Sequence, residues 1–170
     1  MGKTGCCFSG HRNIPKNDFQ YIQNKLQNQI KELIQMGFTD FYAGGALGFD
    51  TMSAIEVLKL KTIYPQIRLH LFLPCKDQTK GWKQDDLQIY NNILERADSI
   101  NYSSETYTRE CIFDRNRALV DHSSYCICYL SNTRGGTAYT VKYARSKGLS
   151  IINLFDDTLE KPLETYGSLI

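Results

Sequence analysis

Apolar residues are arranged along this chain in two alternating patterns. Short apolar runs, typical of strands buried on both faces, occupy residues 5–9, 38–43, 67–73, 99–102, 125–130 and 149–154. The longer segments between them, about 16–36, 51–61, 87–97, 108–121 and 137–147, place apolar residues three and four positions apart, as one face of a helix does. Strands that alternate with helices predict an α/β fold. We expect a Rossmann-like, doubly wound and mainly parallel sheet with helices on both faces.

The chain is expected to form one domain over residues 1–170, because no linker or repeat interrupts this pattern. Beyond about residue 156 the pattern fades, and this tail is expected to be less ordered. No apolar stretch approaches the roughly 18 residues that cross a membrane, and Met1 is not followed by the apolar segment of a secretion signal. These features predict a cytoplasmic protein with no membrane partner.

The charges are nearly balanced, with 20 Lys and Arg against 18 Asp and Glu, and no basic block is present. The net charge of +2 therefore argues against a nucleic-acid partner. Four of the six cysteines lie in predicted strands and none forms a Cys-x-x-Cys pair, which indicates small buried side chains rather than disulfides. The three histidines lack the spacing of metal ligands, so no metal site is predicted.

Four segments are expected to meet beyond the carboxyl ends of the strands, where sheets of this kind bind ligands: residues 9–12, 44–50, 74–82 and 131–137. Two of them are glycine turns that precede a helix. Such a turn can hold a phosphate through its backbone N–H groups and the helix N-terminus, or its glycines can simply supply positive φ angles. A dinucleotide fingerprint and a Walker loop are both absent, so no cofactor is predicted. The turn residues are Gly44, Gly45, Gly48, Gly135, Gly136 and Thr137.

Charged side chains next to these turns are candidate ligand contacts. Arg12, just past the first strand, can grip a phosphate with its guanidinium. The neighbouring His11 can donate to a ligand or cap the turn, and we favour the cap. Asp50 begins a predicted helix, where an acid commonly serves as an N-cap. A carboxylate would repel phosphate, so a functional Asp50 is expected to accept hydrogen bonds from ribose hydroxyls.

Two polar residues, Arg115 and Asn116, fall on the apolar stripe of the predicted helix over 108–121. Polar groups on a core-facing stripe need partners. They either bond neighbouring backbone or reach into the ligand site, and the sequence leaves both open. The aromatic side chains of Trp82 and Tyr42 either stack on a base or pack in the core.

Three motifs carry a resemblance to a known family: Ser9-Gly10-His11-Arg12, the segment from Gly44 to Asp50, and the segment from Arg134 to Thr140. Together they resemble the YpsA-type branch of the SLOG superfamily, a Rossmann-like group that includes the lonely-guy enzymes and the DNA-processing protein DprA. The resemblance implies binding of a nucleotide or nucleotide-derived, phosphoribosyl-containing small molecule, as a sensor or regulatory module linked to cell division or stress. It also implies a homo-oligomer, since relatives commonly pair through helices beside the site.

The lonely-guy enzymes cleave the N-glycosidic bond of a nucleoside monophosphate. Their helix motif matches Arg115, but their catalytic glutamate aligns with Thr140, which cannot carry a negative charge. This departure favours a binding module. A nucleotide N-glycosidase that uses Asp50, with Arg115 as the second catalytic candidate, and DprA-like binding of single-stranded DNA are the alternatives. The predicted ligand contacts are Ser9, Gly10, His11, Arg12, Gly44, Gly45, Gly48, Asp50, Arg115, Asn116, Gly135, Gly136 and Thr137.

Overall fold

The computed structural model describes residues 3–162, which form one seven-stranded sheet with helices on both faces. Strands β1 to β7 span Gly5–Gly10, Asp40–Ala43, Arg68–Cys75, Ser99–Ser104, Tyr125–Tyr129, Ser150–Asn153 and Thr158–Glu160. Helices α1 to α5 span Lys16–Gln35, Phe49–Lys61, Gln84–Arg96, Arg109–Asp121 and Gly136–Ser146. The strand order is β4-β3-β2-β1-β5-β6-β7, and the first six strands are parallel. The predicted Rossmann-like α/β fold is confirmed.

The order of the strands reverses at β1. The chain first moves outward from β1 to β4, and α4 then carries it back to β5 on the other side of β1. The carboxyl ends of β1 and β5 therefore flank the switch point of the sheet, where α/β proteins of this type leave a crevice.

Side chains alternate across the sheet and so build two cores. On β1, Cys6 and Phe8 face the core that α1, α2 and α3 cover, whereas Cys7 faces the smaller core under α4 and α5. All six cysteines are buried free thiols, both the four in predicted strands and the remaining two, Cys75 and Cys111. No helix within residues 3–162 is long and apolar enough to cross a membrane.

Two details go beyond the predicted pattern. Within the tail that is expected to be less ordered beyond about residue 156, Thr158–Glu160 adds a short antiparallel strand to β6, and Arg145 pairs with Glu160 through Nε at 2.7 Å. The rest of the tail prediction, beyond residue 162, lies outside the described residues. Strand β3 also continues through Pro74, where the prediction ended it. Its partner β2 already ends opposite Leu71, so Pro74 lies beyond the stretch of β3 that is paired on both sides.

Candidate functional site

A cavity of about 390 Å³ lies beyond the carboxyl ends of the central strands. Its floor is the end of β1, one wall is the face of α4, and the other walls are the starts of α2 and α5. This is the switch-point position at which the sequence predicts a ligand site. The lining residues are Phe8, Ser9, Gly10, His11, Arg12, Ala46, Asp50, Tyr107, Ile112, Arg115, Asn116, Leu119, Gly136, Thr137 and Thr140.

His11 holds three of the converging loops together. Its backbone N–H donates to the carbonyl of Tyr129 at 3.3 Å, and its own carbonyl accepts from Phe49 N–H at 3.2 Å. Its ring Nε2 accepts from the backbone N–H of Ser131 at 2.9 Å, which places the ring proton on Nδ1. Partial burial lowers the pKa of His11 and so favours this neutral form. His11 caps the turn after β5 in this structure; a contact with a ligand stays a prediction.

The glycines of the turn before α2 allow close packing of neighbouring chain segments. Gly48 has φ +81°, and a Cβ there would lie 2.5 Å from the carbonyl carbon of Arg12 and closer still to its oxygen. A Cβ on Gly44 would lie 2.6 Å from Arg115 Nη1. Gly45 has φ +74°, and its carbonyl accepts from the side-chain amide of Gln78 at 2.7 Å.

None of these three glycines lines the cavity, which the turn reaches through Ala46. They shape the site by bringing its loops together. Direct phosphate contacts from Gly44, Gly45 and Gly48 stay a prediction.

Arg115 and Asn116 are both buried. The sequence leaves open whether they bond neighbouring backbone or reach the ligand site. Arg115 Nη1 donates to the carbonyl of Gly44, and its Nε donates to Asn116 Oδ1 at 2.8 Å. Both residues also line the cavity. Arg115 thus bonds backbone and reaches the site at once, because its guanidinium has donors on several sides.

Asp50 places a buried carboxyl group on the cavity wall, in the first turn of α2. Its Oδ2 accepts from Ala46 N–H at 3.2 Å. Burial raises the pKa of Asp50, although the charge of Arg115, the Ala46 N–H and the charge of Arg12 all pull it down. Burial likewise lowers the pKa of Arg115, and Asp50 opposes that change. Each charge is therefore only partly compensated by the other.

The start of α5 forms the open wall. Gly135 has φ +96°, and no atom lies within 4 Å of the place where a Cβ would be at Gly135 or at Gly136. Gly136 and the buried Thr137 line the cavity, whereas Gly135 lies outside the lining. Thr140, one turn further, donates its hydroxyl to the carbonyl of Gly136 at 2.9 Å and supplies no carboxylate. The first N–H groups of a helix at such an open turn can receive an anion.

The structure thus brings together nine of the predicted contacts and leaves four glycines, Gly44, Gly45, Gly48 and Gly135, behind the lining. The nine are Ser9, Gly10, His11, Arg12, Asp50, Arg115, Asn116, Gly136 and Thr137. The sequence analysis missed Phe8, Ala46, Tyr107, Ile112, Leu119 and Thr140 as lining residues. Ile112 and Leu119 share the α4 stripe with Arg115, and that stripe could have revealed them. Nothing in the sequence pattern points to Tyr107.

A smaller slot of about 70 Å³ adjoins the cavity and shares Arg12, Ala46 and Arg115 with it. Trp82 lines this slot and meets Tyr90 edge to face, with ring centroids 5.4 Å apart. Tyr42 lies elsewhere, stacked on His70 on the sheet face under α4. Among residues 3–162 there is no group of three or more His, Cys, Asp or Glu side chains arranged to hold a metal ion.

Two solved structures with a similar fold are DNA-processing proteins. A chain of DNA processing protein A from Helicobacter pylori, whose description concerns its single-stranded DNA binding mode, matches with a TM-score of 0.65 at 15% identity. DprA from Streptococcus pneumoniae matches with a TM-score of 0.63 at 14% identity. Each match covers 88% of this chain but only 64% and 49% of the two DprA chains, respectively. At such identities the likeness shows the fold alone.

Sequence comparison identifies the family. A UPF0398 protein from Bacillus anthracis strain A0248 is 27% identical over 141 residues, which cover 79% of this chain and 77% of the relative. A UPF0398 protein from Bacillus cereus strain AH187 matches at the same identity and coverage. The family model YpsA, described as the YspA SLOG family, matches residues 9–152, which run from the end of β1 into β6 and include every lining residue of the cavity except Phe8. The chain therefore belongs to the YpsA family of SLOG proteins.

Proposed function

We propose that this protein binds a nucleotide or nucleotide-derived, phosphoribosyl-containing ligand in the cavity, as a cytoplasmic sensor or regulatory module. One observation carries the proposal: the cavity combines two arginines and an open helix N-terminus with a single acidic side chain, Asp50, among its lining residues. Cationic and N–H donors suit a phosphate, and one carboxylate suits a sugar hydroxyl. A ligand that carries both a phosphate and a sugar hydroxyl matches these lining residues.

The phosphate is assigned to the α5 side of the cavity. Gly136 is open there and Thr137 offers a hydroxyl next to the positive end of the helix dipole. Arg12 is exposed and lines the same cavity, so its side chain is free to close onto an anion. Arg115 is already bonded to Gly44 and Asn116, and it contributes a fixed positive charge from the α4 wall.

The sugar is assigned to the α2 side. Asp50 Oδ2 already accepts from Ala46 N–H, and a carboxylate has further lone pairs for ribose hydroxyls. Burial raises the free energy of the charged carboxylate, so hydrogen bonds donated by a ligand are worth more there than at the surface. This arrangement predicts that ribose-containing phosphates bind more tightly than inorganic phosphate.

Thermal denaturation with a ligand panel tests the proposal. The panel contains mononucleotides, dinucleotides, cyclic nucleotides, ADP-ribose derivatives and inorganic phosphate. A ligand at one hundred times its Kd adds about 2.7 kcal/mol, which for a domain of this size raises Tm by about 5–10 °C. Arg12→Ala should remove most of the shift. Arg68→Ala, which deletes the same charge at the start of β3 and outside the cavity, is the matched control and should keep it.

A selective shift that survives Arg12→Ala unchanged would contradict the assigned phosphate position. No shift across the whole panel would contradict the proposal itself. Isothermal titration with the best ligand then gives the Kd of each variant.

A nucleotide N-glycosidase is the second candidate function, and the state of Asp50 favours it. Burial raises the pKa of this carboxyl group, and a raised pKa is what a general acid needs near neutral pH. Thr140 occupies the place where the lonely-guy motif has its glutamate and supplies no second carboxylate. Chromatography of nucleoside monophosphates after incubation would show free base if the protein is an enzyme. Release that persists in Asp50→Asn would exclude this role for Asp50.

The fold likeness to DprA raises single-stranded DNA binding as a third possibility to test. A DNA-binding surface releases counterions, so its affinity falls steeply as salt rises. An electrophoretic mobility shift of a labelled single strand that disappears between 50 and 200 mM salt would support DNA binding. The Arg12→Ala variant is tested beside the wild type. With a net charge of +2, we expect no shift.

A further inference from the structure

A second groove, of about 390 Å³, lies on the α4 side of the sheet and shares no lining residue with the candidate site. Its floor is formed by β2, β3 and the edge strand β4, and its wall by the last turn of α4. The side chains that matter here are Tyr42, His70, Phe72, Ser99, Asn101 and His122.

A chain of hydrogen bonds crosses the floor of this groove. Ser99 Oγ lies 2.6 Å from His70 Nδ1, and His70 Nε2 lies 2.8 Å from Asp40 Oδ1. The other carboxylate oxygen of Asp40 accepts from the hydroxyl of Thr39 at 2.9 Å. A serine, a histidine that can take its proton and a carboxylate that orients the histidine are thus in contact, in that order.

The backbone fixes this arrangement. His70 on β3 is the register partner of Tyr42 on β2 and of Ser99 on β4, so the three side chains stand in one row on one face of the sheet. The Tyr42 ring stacks on the His70 ring with centroids 4.8 Å apart and holds its plane. Groups held on adjacent strands keep their distances better than groups on loops.

The geometry points to an activated serine nucleophile at Ser99, with His70 as its general base and Asp40 as the positioning residue, acting on small carboxylic esters. Ser99 is exposed, and the groove in front of it opens to solvent. Phe72 and Tyr42 give the floor an aromatic surface for an acyl or aryl group. The side-chain amide of Asn101, two residues along the same face of β4, lines the groove and is the candidate to donate to a developing oxyanion.

The reaction balances without a cofactor. Ser99 Oγ bonds to the ester carbonyl carbon as its proton passes to His70 Nδ1. The bond from carbon to the alcohol oxygen then breaks, and the alcohol leaves with the proton from His70. Water attacks the acyl-serine, gives a proton to His70, and the bond between carbon and Oγ breaks as Ser99 regains that proton. An ester and water become an acid and an alcohol.

A fluorophosphonate probe tests the nucleophile directly, because a serine that is not activated does not displace fluoride. The Ser99 Oγ–phosphorus bond forms, the phosphorus–fluorine bond breaks, and the proton leaves with fluoride. The full-length chain is incubated with the probe, and intact mass with peptide mapping locates the adduct. Ser103→Ala removes another exposed serine of β4 that lines the same groove without contacting His70, and it is the matched control for Ser99→Ala.

We expect an adduct at Ser99 in the wild type and in Ser103→Ala, and none in Ser99→Ala. His70→Asn should slow labelling about a hundredfold, as loss of a general base does. With p-nitrophenyl acetate, Asp40→Asn should lower kcat at least tenfold and leave KM unchanged, a division that a purely structural role would not produce.

Circular dichroism identifies any variant that fails to fold. If His70→Asn or Asp40→Asn fails to fold, Ser99→Ala still decides the test, because Ser99 is exposed and its replacement should leave the fold intact. No adduct in the wild type, an adduct at another residue, or a labelling rate unchanged in a folded His70→Asn would overturn the proposal.

Discussion

Replacing Gly48 with alanine should destabilise the protein strongly, because the structure leaves no room for a Cβ there. Gly48 has φ +81° and ψ −121°, a conformation that side chains avoid at a cost of about 1–3 kcal/mol. The new Cβ would also lie 2.5 Å from the carbonyl carbon of Arg12, and backbone cannot rotate away as a side chain does. Moving this segment stretches the hydrogen bond from Phe49 N–H to the His11 carbonyl, worth about 1 kcal/mol.

The expected loss is therefore about 3–4 kcal/mol, a large part of the stability of an ordinary domain. At about 2–4 °C per kcal/mol, Tm falls by roughly 10 °C. Gly148→Ala is the matched control: it also has a positive φ, +76°, but no atom lies within 4 Å of its Cβ position, so only the backbone cost of about 1 kcal/mol applies. Urea denaturation followed by circular dichroism measures both. Equal losses in the two variants would refute the packing argument for Gly48.

Three further predictions concern Asp50, Gly44 and Cys75. Asp50→Asn should stabilise the protein at neutral pH, because burial raises the pKa of Asp50. The difference in the free energy of unfolding between variant and wild type should grow as pH rises from 3.8 through the folded-state pKa and vanish below 3.8. Urea denaturation across pH measures it. Gly44→Ala should weaken ligand binding, because its Cβ would lie 2.6 Å from Arg115 Nη1 and 2.9 Å from Asp50 Oδ2 and so displace two side chains that line the cavity; calorimetric titration checks this. Cys75, whose pKa burial raises to about 11, should react with Ellman's reagent at pH 8 only after unfolding.

The fold was predictable because its information is local. Apolar runs and three-to-four spacing mark each strand and helix, and their alternation alone predicts a parallel sheet with a crevice at the switch point. The three-residue strand at Thr158–Glu160 was not predictable in this way. It is exposed, has no apolar pattern, and forms only because it pairs with β6 and because Arg145 binds Glu160.

The candidate site was predictable in part. Residues that follow strands, such as Arg12, could be assigned to the crevice from topology. The sequence could not show which glycines allow close packing and which leave the turn open. Gly48 must lack a side chain because Arg12 is close, whereas Gly136 is open to solvent. The sequence alone does not distinguish these two glycines, because their surroundings depend on contacts with segments distant in the chain. The same holds for His11, whose ring partner, Ser131, lies 120 residues away.

If the cavity binds the proposed ligand, the burial of Asp50 and Arg115 has a reason other than stability. Burying both side chains shifts the pKa of each toward its neutral form, so their mutual attraction does not repay the loss of water. Apolar residues at the two positions would cost the fold less. In the proposed function a ligand donates further hydrogen bonds to this pair, so the stabilising Asp50→Asn change is expected to abolish recognition of the sugar.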